Sequence, residues 1–346
     1  MKKIKILFVI VVLAFATFST VLGTRVLSEE RITTDEGDQD DPAIYGDIIV
    51  WSDYRNDDTD IWGYNLKTKE EFRITTNTKD QRYPAIYGDI VVWEDTRNDN
   101  GDIWSYNLKT KEEFRITTDP NSQCNPAIYG DIVVWEDYRE GDYNPDIWGY
   151  NLKTKEEFQI TTDPNQQIMP AIYGDIVVWG DYRNDNSDIW SYNLKTKQPL
   201  QITTDTNDQC YPAIYGDIVV WSDYRSGNWD IWGYNLKTKQ PFQITTDTAN
   251  QYYPAIYGDI VVWQDERNDF GDIWGYNLKT KEEFQITTDS NSQYDPAIYC
   301  DRVVWEDDRN DYQYDIYLAY LDVICETAKK SLPIEQIMKI LGLLPK

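Results

Sequence analysis

The chain has 346 residues, 41% hydrophobic and 14% aromatic, which is enough apolar mass for one large or two average domains and excludes an intrinsically disordered chain. It carries 60 Asp and Glu against 33 Lys and Arg, a net charge of −27 that sets aside nucleic acid and anionic lipid as partners by repulsion. It contains no histidine, which removes Ser-His-Asp and Cys-His catalysis and most zinc chemistry but leaves paired carboxylates for acid-base work.

In residues 1–23, Lys2, Lys3 and Lys5 precede an apolar run from Ile6 through Phe18, followed by Val21-Leu22-Gly23. This is the layout of a secretory signal, whose removal would take the net charge to −30. An uncleaved anchor is the alternative, because the apolar stretch falls just short of a membrane span. Nothing later in the chain is long and apolar enough to cross a bilayer, so the mature chain is expected outside the cytoplasm, secreted or at the cell surface.

Residues 24–325 are repetitive. Pro-Ala-Ile-Tyr begins at Pro42, Pro84, Pro126, Pro170, Pro212, Pro254 and Pro296, at a spacing of 42 residues with a single step of 44. A fixed period near this length with strand-like content predicts one four-stranded propeller blade per repeat. In the unit Pro84 to Thr118, Pro84 to Tyr87 reads as a short apolar strand, Gly88-Asp89 as a two-residue turn, and Ile90 to Asp95 as the second strand. After the polar loop Thr96 to Gly101, Asp102 to Leu108 alternates as a third strand. Glu113 to Thr117 then forms the outer fourth, with Phe114 and Ile116 facing inward.

The outer-strand text Ile-Thr-Thr follows six of the seven units, at Ile74, Ile116, Ile160, Ile202, Ile244 and Ile286. The last unit runs instead into Leu321-Asp322-Val323-Ile324-Cys325, and the missing copy is Arg31-Ile32-Thr33-Thr34 near the N-terminus. The sequence therefore predicts an all-β, seven-bladed β-propeller of four-stranded antiparallel blades, a monomeric ring closed by the N-terminal strand so that no sheet edge is left open. Residues 326–346 form a tail in which Ile334, Ile337, Met338 and Leu341 recur at helical spacing after Pro333, a short C-terminal helix docked on the ring.

The text Pro-Ala-Ile-Tyr-Gly-Asp-Ile-Val-Val-Trp, then Asp-Tyr-Arg-Asn-Asp, Asp-Ile-Trp-Gly-Tyr-Asn-Leu-Lys-Thr-Lys and Ile-Thr-Thr resembles the WD40-like repeat of TolB-type β-propellers and of bacterial and archaeal cell-surface propellers. The resemblance covers residues 31–321 and implies the fold and an extracytoplasmic binding habit. TolB itself is similar to a six-bladed ring with an added α/β domain, so its particular role does not carry over to seven units.

Most candidate site residues repeat from blade to blade, whereas an active site should be singular. Asp60, Asp102, Asp146, Asp188, Asp230, Asp272 and Asp315 each precede the Ile that opens the third strand, which suits a loop-fixing hydrogen bond. The Trp of the second strand (Trp51 and its equivalents) and of the third (Trp62 and its equivalents) are expected between blades. Trp229 is different, because no other blade has Trp there. With Tyr143, Tyr252, Phe270 and Tyr312 it is expected to mark a binding surface on the loops joining strands two to three and four to one, where the acidic residues also gather.

No cofactor is required by these residues; calcium is the one candidate, held by loop carboxylates such as Asp53, Asp57 and Asp60. Cys300 replaces the turn Gly of the six other units, at a cost of roughly 1 kcal/mol if φ stays positive, and is expected to pair with Cys325. Cys124 and Cys210 sit in blades too far apart to pair.

These features favour an exported, non-catalytic module that binds a protein or a polysaccharide at the cell surface. A carbohydrate-active propeller enzyme and a calcium-dependent adhesion or surface-layer protein are the alternatives.

Overall fold

The computed structural model describes residues 23–325 apart from 142, 269, 311 and 312. The expected leader through residue 22, the expected tail helix over 326–346 and Tyr312 lie outside the described residues. Among those described, no helix is long and apolar enough to cross a membrane.

Among the described residues, twenty-eight strands form seven four-stranded antiparallel sheets, one per repeat. Each blade's first strand touches the first strand of the next, and that of blade seven touches that of blade one, so the ring is closed. Blade seven takes its outer strand, Val26–Arg31, from the N-terminus, paired with Gln313–Leu321. The closure reproduces the other blades in detail. Elsewhere the first Thr of Ile-Thr-Thr accepts a hydrogen bond from the N–H of the third-strand Ile, as Thr75 does from Ile61 at 2.8 Å; in blade seven Thr33 accepts from Ile316 at 2.8 Å.

The core lies between blades and not within any one of them. Val92, Ile103 and Ile116 of blade two pack against Ile128, Val133 and Trp135 of blade three, and the same set recurs around the ring. Each second-strand Trp is buried, and its indole Nε1 donates to the Asp two residues on at 2.8–3.0 Å. That Asp also holds the Arg that follows it, and the guanidinium lies 3.6–3.9 Å over the third-strand Trp ring. Blade seven has Tyr317 there, with Arg309 at 4.3 Å. A cation over an indole face, its charge balanced by a buried carboxylate, locks strands two and three together.

Two details of the unit Pro84 to Thr118 differ from expectation. The first strand starts earlier, at Gln81, and carries a bulge between Arg82 and Ala85. Phe114 does not face inward: it is 40% exposed. In four blades the outer-strand Phe lies over a third-strand Gly; a Cβ on Gly233 would come within 2.5 Å of the Phe242 ring. Blade two has Ser105 at that position, so Phe114 has no such hollow to fill.

The Gly of each Gly-Asp turn has φ of 60–61°, and Cys300 adopts 65° in its place. Cys300 is disulfide-bonded to Cys325, with Cα atoms 5.3 Å apart, while Cys124 and Cys210 are free.

Candidate functional site

The stretch from Gln39 to Asp53 and its six equivalents are almost one sequence. Apart from an Ile/Val exchange at Ile49 and from Cys300 and Arg302 in blade seven, only three positions change. Two precede the Pro: Asp40-Asp41, Arg82-Tyr83, Cys124-Asn125, Ile168-Met169, Cys210-Tyr211, Tyr252-Tyr253 and Tyr294-Asp295. The third follows the Trp: Ser52, Glu94, Glu136, Gly180, Ser222, Gln264 and Glu306.

The fold brings these positions together. The residue before each Pro has φ between 43° and 56°, a left-handed conformation that the following Pro disfavours. A bulge holds it there, and a bulge re-aims a side chain out of the strand's regular alternation. All seven pre-proline residues and their prolines consequently line one axial cavity of about 440 Å³. The residue after the Trp lies just before the Asp of the second strand, and in three blades its side chain reaches the next blade. Glu306 Oε1 accepts from the Asp41 N–H at 2.6 Å, Ser52 Oγ from the Tyr83 N–H at 3.2 Å, and Glu136 Oε1 from the Met169 N–H at 2.7 Å.

Over blades six, seven and one this cavity widens into a funnel of about 470 Å³ that opens toward the loops joining strands two to three and four to one. Five carboxylates line it, from Asp40, Asp41, Glu266, Asp295 and Glu306, together with Tyr54, Tyr83, Tyr252, Tyr253, Tyr294 and Tyr314 and the amide of Gln264. A second hollow, lined by Glu94, Cys124 and Tyr138 among others, adjoins it at Tyr83.

Burial, and then the charges of Asp41, Asp38 and Asp295, push the Asp40 carboxyl up to about 7. Burial followed by Asp41 raises Asp295 to about 6. Burial, then Asp295 and Asp40, holds Glu306 well above the usual carboxylate range. Glu94 is raised by burial to about 7, with Arg82 opposing. Near neutral pH these carboxyls hold protons that ordinary surface acids have lost, so the site can donate as well as accept hydrogen bonds. The neighbouring Cys124 thiol is pushed up by burial, and then by Glu136, and is no nucleophile.

Of the expected contact residues, Trp229 and Tyr252 meet at the funnel's rim. An aromatic path runs from Tyr224 to Trp229 (5.1 Å between ring centroids), on to Tyr252 (6.1 Å) and Tyr253 (6.1 Å), and ends at Tyr211 (4.4 Å). Tyr143 and Phe270 are on loops of the same face, 81% and 57% exposed, and neither lines the funnel.

Two of the three carboxylates named for calcium are engaged by protein donors. Asp53 is fully buried and accepts from Trp51 Nε1 and from the backbone and guanidinium of Arg55. Asp60, also buried, accepts from Asn56, Arg73 and Thr75, and Asp57 is exposed on the loop. Among the described residues the only trio of closely spaced ligand atoms is Cys300, Asp301 and Cys325, two of which form the disulfide. The sequence reading missed the first-strand carboxylates and Glu306. Their signal was present as the few positions at which otherwise identical units disagree.

By sequence, the chain matches no family model and no curated protein. By structure it is similar to many β-propellers. An oligogalacturonate lyase from Vibrio parahaemolyticus superposes with a TM-score of 0.65 at 14% identity, covering 86% of this chain and 98% of that one. The β-propeller domain of the Trilobed protease from Pyrococcus furiosus gives 0.65 at 13% identity, covering 83% and 94%. The TolB protein of Agrobacterium tumefaciens gives 0.52 at 14%, covering 75% and 97%. The chain is thus a seven-bladed β-propeller, and at such identities the likeness extends to the fold alone.

Proposed function

We propose that the protein is an exported, non-catalytic binding propeller that takes a protein or polysaccharide ligand at the cell surface through the acidic, tyrosine-lined funnel. One observation carries this reading: within the first two strands, which repeat almost letter for letter, three positions vary from blade to blade, and in blades six, seven and one all of them but Ser52 line the funnel. Repetition holds a scaffold constant, and variation confined to one cavity is what a specific site built on that scaffold requires. The aromatic path from Trp229 to Tyr253 offers flat apolar area leading into the cavity, as ligand anchors do.

The reading is tested by binding the mature chain to glycan and surface-protein arrays, with and without calcium. Trp229→Ala and Tyr252→Ala should weaken any ligand found, whereas Tyr143→Ala and Phe270→Ala should not. A ligand that ignores all four substitutions and is lost on altering the Lys-Thr-Lys turns of the opposite face would overturn it.

A carbohydrate-active enzyme is the second reading. It is favoured by the proton-holding carboxyls of Asp40, Asp295 and Glu94, which could serve as general acids near neutral pH. Turnover of an arrayed oligosaccharide, lost in Asp295→Asn, would select it.

A further inference from the structure

We propose that the funnel receives an alkylammonium group, the end of a flexible organic cation, seated between the Asp40, Asp295 and Glu306 carboxyls and the tyrosine faces. The inference rests on the reading of the funnel as the ligand site and specifies its chemistry.

The funnel is short of positive charge. Its wall holds five acidic side chains and, among the described residues, no Lys or Arg. Arg82, the basic group whose charge reaches Asp41 and Glu94 from blade two, is held by Asp80 at 2.7 Å. Two acceptors are left over: Asp40 Oδ1 and Gln264 Oε1 are buried and have no partner among the described residues. Gln264 is only 6% exposed, so its carbonyl oxygen has lost bulk water without gaining a protein donor. A ligand that restores the balance must bring several N–H donors and a positive charge, which an ammonium does with three.

A bare metal ion fits less well. Among the described residues no three carboxylates bring oxygens within 4.8 Å of one another, so these acids do not close on one bare ion, and an ammonium hydrogen-bonds to at most two of them at once. An elongated cation can instead place its head among the acids and its methylenes and charge against the faces of Tyr252, Tyr253 and Tyr294, where cation–π attraction adds to burial. The seated charge would also draw off the protons that Asp40, Asp295 and Glu306 hold near neutral pH. The other charged groups facing them are Asp38, Asp41, Glu266 and Arg82.

Two sources supply this chemistry: a free polyamine, or a lysine side chain presented by a partner protein. Isothermal titration of the mature chain with spermidine, with a short lysine peptide and with the same peptide acetylated on its lysines separates them. We expect saturable binding of at least one amine, none of the acetylated peptide, and heats that change with the buffer's ionisation enthalpy because protons are released. Asp40→Asn and Glu306→Gln should each weaken binding roughly tenfold or more, and Asp57→Asn, on an exposed loop, should leave it unchanged. Glu306→Gln keeps the side chain's shape and removes the carboxyl that would ionise beside the ammonium, so it keeps the test decisive should Asp40→Asn not fold. Absence of saturable amine binding at millimolar concentration, equal weakening by Asp57→Asn, or saturation by calcium alone would each overturn the proposal. Array binding that still depends on Trp229 would then leave the funnel as the ligand site and reject only the ammonium.

Discussion

The two ends of the central channel are made by the same seven strands and obey different rules. At the Gly-Asp turns, Tyr45, Tyr87, Tyr129, Tyr173, Tyr215, Tyr257 and Tyr299 form a closed ring, with successive ring centroids 4.5–4.9 Å apart. Every blade contributes the same residue in the same pose, and the contact serves assembly: tilted aromatic neighbours add to burial and fix the spacing of the blades. Four residues upstream on the same strands, the residues before the prolines are Asp, Tyr, Asn, Met, Tyr, Tyr and Asp in turn. Where the repeat is symmetric the side chains hold the ring together, and where symmetry breaks they face a cavity. Within a repeat protein that contrast separates scaffold from site even without related sequences.

The largest expected effect breaks the symmetric framework. Deleting residues 24–36 removes the outer strand of blade seven, orphans the N–H of Ile316 and exposes the edge of Gln313–Leu321. Size-exclusion chromatography should show aggregation, or melting should fall far below that of the intact chain. A monomeric deletion variant melting unchanged would sink the closed ring. Next come neighbouring residues that lie on opposite sides of the contrast. Asp223 accepts from Trp221 Nε1 at 2.8 Å and from Arg225 N, Nε and Nη2 at 3.0, 2.8 and 2.6 Å. Asp223→Ala should cost about 3 kcal/mol in denaturant unfolding, because it leaves an indole N–H and a guanidinium without their shared partner. Ser222→Ala, one residue away at a position that varies between blades, should cost almost nothing, since the buried Ser222 Oγ has no partner to lose among the described residues.

The disulfide should rank slightly lower. Cys325→Ser opens a loop of 25 residues and should cost up to about 3 kcal/mol by the loop-closure argument. Replacing Cys300 by Gly in that background should then recover roughly 1 kcal/mol, because Gly takes a φ of 65° without strain. Comparing the melting temperatures of Cys325→Ser and of the double variant checks both. If the double variant is the less stable, the thiol of Cys300 packs in a way the turn geometry does not capture.

Much of the fold was legible because each blade states its pattern seven times. The period gave the number of blades, the displaced Ile-Thr-Thr gave the closure, and the departure of Cys300 from Gly gave the disulfide. The candidate site was legible only at its rim. Trp229 and Tyr252 stood out as unusual loop residues, but Tyr143 and Phe270 looked alike in sequence and do not line the funnel. The sequence places Asp40, Asp41 and Asp295 in loops ahead of a strand starting at Pro, because a residue before Pro with positive φ is not what local preference suggests. The bulge that turns these side chains to the axis is held by contacts with the next blade, such as Glu306 to the Asp41 N–H, and these join residues far apart in the chain. Phe114 failed for a related reason: its burial depends on a Gly in the paired strand, not on its own alternation.

The smallest expected effect on stability is the most informative about the funnel, and it runs opposite to ordinary acid denaturation. A carboxyl whose folded pKa lies above its unfolded value binds protons more tightly in the folded state, so folding is favoured at low pH and loses that advantage as pH rises through the folded pKa. With Asp40 raised from 3.8 to about 7, Asp295 to about 6 and Glu94 from 4.5 to about 7, the loss should begin above the unfolded carboxylate range and be complete just above pH 7. The protein should therefore melt a few degrees higher near pH 5 than near pH 8. General repulsion in a chain of net charge −27 acts in the same direction, so the slope of the intact protein alone does not locate the effect. The variants do. Glu306→Gln and Asp295→Asn remove one acid each from the funnel and should flatten the slope while raising stability at pH 8. Asp57→Asn and Asp47→Asn remove one exposed acid each and should leave the slope nearly as it was. Equal flattening by all four would assign the pH dependence to the whole surface and remove the electrostatic distinction between the funnel and the rest of the ring.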